Sequence, residues 1–267
     1  RLPPSPRAHS SQKRPYGSGS ASVNRSQVCN SPSPSGRAAS AHLLRCPATG
    51  RDRLPPMTTN FAQVERAALC DLFEQVGPDA PTLCEGWTTR DLAAHLVVRE
   101  RRPDAAVGIV APFAAGYGER VRRQVAGTDW PKLVQLVRSG PPLLSPTRLD
   151  PVDRMVNTNE FFVHHEDVRR AVDGWQPRQL DPALDDALWA TIGRFAKLTL
   201  RKAGVGIVLD DGAGRRLQVI DREPCVELLG PVGEIVLFAN GRQDHARVEL
   251  VGPDAATATL RSANLGI

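Results

Sequence analysis

At 267 residues, 41% hydrophobic and 24% charged, the chain is long enough to bury a substantial core as one large domain or two small ones. Its formal charge of +5 is unevenly placed: residues 1–56 hold 9 of the 34 Lys and Arg and, of the 29 Asp and Glu, only Asp52. The remaining 25 basic and 28 acidic side chains leave residues 57–267 at −3, without the electrostatic footprint of a DNA- or RNA-binding domain. No stretch approaches the ~18 apolar residues that span a membrane, and five scattered cysteines with no Cys-x-x-Cys argue against a disulfide framework or a Cys₄ zinc site and for a reducing cytoplasm.

Residues 1–56 are rich in Ser, Pro, Arg and Gly and carry almost no apolar periodicity, so they are expected to be a disordered basic extension. Met57 opens directly onto a helical pattern, which suggests it as the true start, with the preceding residues an upstream extension or tail. The leader has the composition of a transit peptide but not its amphipathic stripe.

Residues 57–203 read as a bundle of helices. The first begins near Thr58 or Thr59, places Phe61, Val64, Ala68, Leu72, Phe73 and Val76 at helical spacing, and stops at Gly77-Pro78. The second opens with the capping box Thr88-x-x-Asp91 and runs through Leu92, His95, Leu96 and Arg99 toward Pro103. Shorter helices are predicted over Asp104–Val110, Gly118–Val125 and Pro131–Arg138, followed by a Pro-rich linker over Gly140–Pro146. A long helix then starts at Asp150-Pro151 and continues to Gly174, and another starts at Asp181-Pro182 with Leu184, Leu188, Ile192, Phe195 and Thr199 on one face up to Gly204. Several long helices with no early strand imply an antiparallel bundle. Residues 204–267 change pattern to a hairpin, Gly206–Leu209 and Leu217–Ile220, then a strand near Val226–Leu229, a helix from Pro231 to Asn240, a strand at Arg247–Val251 and a short helix after Pro253. Together these form a small α+β C-terminal domain.

The chemical signal is Glu160 and His164. Four residues of helix give about 6 Å of rise and about 40° of rotation, so the two side chains stand one above the other on one face. His95 on the second helix is the candidate third ligand, and two imidazoles with one carboxylate suit Zn²⁺ or a facial-triad Fe²⁺ with positions left open. Val156, Val163 and Ala171 share the face of Glu160, so a carboxylate buried there needs a partner that a metal would supply. Asp153, Asn157 and Asp167 lie there too, and Asp167 could orient an imidazole as an acceptor behind the ligand. The same residues admit plainer readings: a satisfied core histidine, a local Glu–His hydrogen bond, a solvated Asp167. His165 points about 100° from His164 and so does not serve the same ion. His165-Glu166 fails as a zincin because position 169 is Arg. Cys84 reads as a packing residue or a redox thiol. Motifs of serine hydrolases, P-loop enzymes and classical dinucleotide binders are missing.

The stretches Leu83-Cys-Glu-Gly-Trp-Thr-Thr-Arg-Asp-Leu-Ala-Ala-His95-Leu and Asn159-Glu-Phe-Phe-Val-His164-His-Glu-Asp-Val resemble the mycothiol-dependent maleylpyruvate isomerase family, actinobacterial proteins of the DinB-like four-helix-bundle type. Gly230-Pro-Val-Gly-Glu-Ile-Val-Leu-Phe-Ala-Asn-Gly-Arg242 is similar to that family's appended α+β domain. The resemblance spans about Met57 to Leu260. It implies a divalent metal, usually zinc, held by His95, Glu160 and His164. It further implies mycothiol as co-substrate and a cytoplasmic isomerase or thiol transferase, monomeric or homodimeric, acting on small electrophiles. Arg242 would grip a substrate carboxylate if it faces the bundle; the plainer reading is a surface Arg after a helix end. The rival expectations are a non-catalytic bundle that binds metal for structure or sensing, and a non-haem iron enzyme.

Overall fold

The computed structural model describes residues 59–110 and 115–266. The expectations for residues 1–56, and for a helix start at Thr58, fall outside them. Helix α1 (Phe61–Val76) begins two residues after Thr59, the later of the two expected starts: Asn60 is its cap, with Oδ1 accepting from the Ala62 N–H at 3.1 Å. The helix stops at Gly77, whose φ of +81° a residue with a Cβ adopts only under strain. Its buried face also differs from expectation. Ala62, Leu69, Cys70 and Phe73 are buried beside Glu65 and Arg66, while Val64 and Val76 are 47% and 40% exposed. A hydrophobic pattern assigns Glu65 and Arg66 to solvent, whereas charged partners on other elements hold them inside.

Helix α2 (Thr89–Arg101) has the expected start, the Asp91 carboxylate accepting from the Thr88 backbone N–H at 3.1 Å. Helices α3 (Pro103–Val110), α4 (Ala115–Ala126) and α5 (Trp130–Arg138) follow. The predicted linker carries a 3-10 turn at Pro146–Arg148. Helix α6 (Asp150–Arg169) has Asp150 inside its first turn with Leu149 at the cap, and it ends at Arg169 rather than Gly174. Helix α7 (Pro182–Thr199), capped by Asp181, likewise stops short of Gly204.

Strands β1 (Gly206–Asp210), β2 (Arg216–Ile220), β3 (Cys225–Leu229) and β4 (Glu249–Val251) form one sheet in the order β2-β1-β3-β4. The β1–β2 hairpin is antiparallel, β3 returns parallel to β1, and β4 is antiparallel to β3. Helix α8 (Val232–Ala239) is buried along its whole length and α9 (Asp254–Ser262) follows β4. The described residues are therefore mostly helical with a small four-stranded sheet.

Helix α6 is the hinge of the packing. Phe161 enters a core with Leu69, Phe73, Leu92, Leu96 and Leu133 from α1, α2 and α5. Phe162, one residue and about 100° further on, enters a second core with Leu188 and Ile192 of α7, Ile207 and Leu228 of the sheet, and Phe238 of α8. Residues after Gly204 thus build their core together with α6 and α7.

A buried charge network fixes that docking. Glu166, fully buried, accepts from Arg178 Nε and Arg170 Nε, both at 2.6 Å. Arg170 then grips Glu234 of α8 through both terminal nitrogens (2.9 and 2.7 Å) and donates to the His245 carbonyl at 2.6 Å. Arg178 continues to Glu65 of α1 at 2.9 and 3.0 Å, and Glu65 Oε2 lies 2.8 Å from His165 Nδ1. Burial alone would raise the Glu65 carboxyl, but the hydrogen bonds and charges of His165 and Arg178 outweigh it and hold the pKa below 4.5. A depressed folded-state pKa contributes stability that is present above the unfolded value and lost as pH falls through the folded one. The urea midpoint should therefore fall as pH drops below about 4.5, and Glu65→Gln should flatten that fall while lowering the midpoint at pH 7. An unchanged acid slope in this variant would remove Glu65 from the acid response.

Candidate metal centre

His95 of α2 and Glu160 and His164 of α6 converge although 65 residues separate the first from the second. Glu160 Oε1 lies 3.4 Å from His95 Nε2 and 3.3 Å from His164 Nε2. The two imidazoles meet edge to face, 5.3 Å between centroids at 72°. Tetrahedral ligands at Zn–N and Zn–O lengths of about 2.0–2.1 Å stand about 3.3–3.4 Å apart, so the donor set and its spacing fit a zinc-sized ion. The Glu160 side chain is 27% exposed, less buried than its apolar helix face suggests, and what demands a partner for it is this convergence rather than full burial.

The imidazole of His164 is clamped from behind. Its Nδ1 lies 2.8 Å from Oδ2 of Asp167, a carboxylate with no exposed surface. Asp167 is held in turn by Arg242 through Nη2 at 2.6 Å and Nε at 2.8 Å. The Nδ1–carboxylate bond sets the tautomer that turns Nε2 toward Glu160 and His95. Arg242 donates a further hydrogen bond to the Asn240 carbonyl at 2.5 Å and approaches Cys84 Sγ at 3.4 Å. Cys84 Sγ is itself 3.3 Å from Asp167 Oδ2. Arg242 is thus a half-buried residue joining the C-terminal segment to α6, not a surface Arg, and Cys84 is part of the same polar cluster.

Burial lowers the His95 pKa, keeping its ring neutral and able to offer a lone pair. Burial acts the same way on His164, but hydrogen bonds to Asp167, Cys84 and Glu160 push it well above the ordinary value. Glu160 would be raised by burial, yet the Arg99 charge and both imidazoles hold it well below the carboxylate range, so it is ionised. A proton and a metal ion compete for the same lone pair on such ligands.

These groups line a cavity of about 310 Å³ whose apolar walls include Trp87, Val156, Val163 and Phe195, and whose polar rim includes Arg99 and Arg242. A larger cavity of about 500 Å³ adjoins Arg170, Arg178, Glu166 and Glu234, whose charges already pair with one another. Asp153 and Asn157, which share the α6 helix with Glu160, are not ligands: Asn157 donates to Asp153 at 2.7 Å and to Glu100 at 3.4 Å while its Oδ1 accepts from Arg99, and Asp153 lies 3.8 Å from Arg66. His165 is likewise outside the centre, against Glu65.

The reading of the sequence missed Arg99 and Trp87. Arg99 follows His95 by four residues and so shares its helical face, a signal available in the spacing. Trp87, whose ring is 5.3 Å from that of His95, precedes the α2 cap and has no periodicity to betray it.

No protein-family model and no curated protein matches the chain. Two solved structures are similar to it: the mycothiol-dependent maleylpyruvate isomerase and a histidine-to-alanine mutant of the same enzyme. Each is 18% identical, covering 71% of this chain and 90% of the other, with a TM-score of 0.49.

Proposed function

We propose that the protein is a divalent-metal enzyme, with zinc held by His95, Glu160 and His164, that uses a low-molecular-weight thiol, mycothiol, to isomerise small electrophiles or transfer the thiol to them. We read its helical part as a DinB-like antiparallel four-helix bundle and its setting as cytoplasmic. The observation that carries the reading is the convergence of three ligand atoms within 4.8 Å of one another, with Glu160 Oε1 3.3 and 3.4 Å from the two imidazole nitrogens, on the wall of an open cavity. The thiol is what the resemblance of the stretches around His95 and His164 to the mycothiol-dependent isomerase family implies.

Zinc held by His95, Glu160 and His164 would keep an open position and would supply the positive charge that lowers the pKa of a thiol. The chain's own residues do the rest. Asp167 holds Nδ1 of His164 and so keeps Nε2 directed at the centre. Trp87, Val156, Val163 and Phe195 give the cavity an apolar wall facing the ligands, against which the body of a small substrate can pack. Arg242 braces Asp167 and brings the segment after α8 to the mouth of the site.

Metal analysis of the purified protein, with and without His95→Ala, tests the centre. About one zinc per chain is expected, with little or none in the variant. Zinc-dependent consumption of mycothiol with maleylpyruvate or a generic electrophile then tests the chemistry. Protein without stoichiometric metal would end the reading. Bound metal with no thiol reactivity would leave a structural or sensing role.

A further inference from the structure

Arg99 is a cation set against a metal ligand. Its Nε lies 3.1 Å from Glu160 Oε1, the oxygen nearest both histidines. It is held there firmly, with Nη1 donating to Asn157 Oδ1 at 2.5 Å and Nη2 to the Val156 carbonyl at 3.3 Å. A positive charge in this place opposes the binding of a second cation, so it adds nothing to a site that only stores metal. Leaving the histidines aside, the carboxylates of Glu160 and Asp167 balance the guanidinium groups of Arg99 and Arg242. A divalent ion bound by neutral histidines leaves two positive charges in excess.

The two arginines share that excess unequally. Arg242 keeps its bidentate partner Asp167, which lies behind His164 rather than among the three ligands. Arg99 does not, because the Glu160 carboxylate that neutralises it becomes a ligand of the metal. Arg99 lines the cavity, and its contacts with Asn157, Val156 and Glu160 engage three of its five N–H donors, leaving one on each terminal nitrogen.

We infer that Arg99 is the residue of this site that binds a carboxylate of the substrate, and that Arg242 acts through Asp167 on the orientation of His164. The inference rests on the metal-centre reading and assigns to Arg99 the role that the sequence resemblance implies for Arg242.

The test uses the zinc-loaded full chain with succinate as an anionic probe and dimethyl succinate as its uncharged counterpart, binding read by calorimetry, and zinc affinity by chelator competition. Arg99→Gln is expected to weaken succinate about ten- to a hundredfold, to leave dimethyl succinate unchanged, and to leave zinc affinity unchanged or higher. Arg99→Lys, which keeps the charge but loses the fork, should lie between. Succinate affinity within about threefold of wild type in Arg99→Gln, or in Arg99→Lys should the first variant not fold, overturns the inference. So does a zinc affinity lowered about tenfold or more in Arg99→Gln and restored in Arg99→Lys, since Arg99 would then be positioning Glu160. Wild-type protein that takes zinc but no succinate overturns the role of Arg99 alone. Wild-type protein that takes no zinc overturns the metal-centre reading beneath it.

Discussion

Alanine in place of His164 is expected to weaken zinc binding by about two to three orders of magnitude, the share of one ligand in the roughly 10–16 kcal/mol of a fully coordinated site. The loss comes from two directions. The Nε2 ligand disappears, and Glu160 keeps only His95 and Arg99 as neighbours on its inner oxygen. Behind it, the buried Asp167 keeps Arg242 but loses the imidazole that shares its Oδ2. Asp167→Asn separates the two contributions. An amide cannot accept from His164 and from both nitrogens of Arg242 at once, because one of its two ends is a donor. The ligand ring is then less well oriented, and zinc affinity should fall about 10–100-fold with all three ligands intact. Chelator competition measures both variants on one scale. Zinc affinity near wild type in His164→Ala would remove it as a ligand; the same result in Asp167→Asn would make its contact with His164 incidental.

Arg170→Met should have the largest effect on folding, a loss of about 3–5 kcal/mol, or roughly a 10 °C fall in melting temperature for a folded body of this size. Arg170 is 2% exposed and neutralises Glu166 and Glu234, which are 0% and 4% exposed, so its removal leaves buried carboxylates with fewer partners. Because Arg170 also holds the His245 carbonyl, its loss loosens the segment that carries Arg242. Glu234→Gln added to Arg170→Met should recover part of the stability, since one of the stranded charges is gone. Thermal denaturation of the two variants checks this. A single variant within about 1 kcal/mol of wild type would show that the network is solvated enough to screen itself.

Local patterns carried the elements whose causes are local. The Thr88–Asp91 box starts α2, Asp181 caps α7, and the turn-rich stretch after Asp210 separates β1 from β2, all within a few residues of the groups they join. Helix α1 was read less well: the stripe through Val64 and Val76 is apolar, but the buried face is the one whose charges Glu65 and Arg66 find partners on α2, α6 and the segment after it. Periodicity registers hydrophobicity and does not register a distant counter-charge.

The candidate site divides the same way. The spacing of Glu160 and His164 dictates that they share a face on any α-helix, and His95 with Arg99 follows the same rule on another. Which pair meets which, and that Arg242 reaches Asp167 from 75 residues away, was decided only when Phe161 and Phe162 entered separate cores and Arg170 locked α8 against α6. The sequence by itself determined the ligand types and their helical spacing, because backbone geometry is a local property. The tertiary structure decided the electrostatics of the centre. The neighbours that set each charge come from other elements, and only packing fixes their distances.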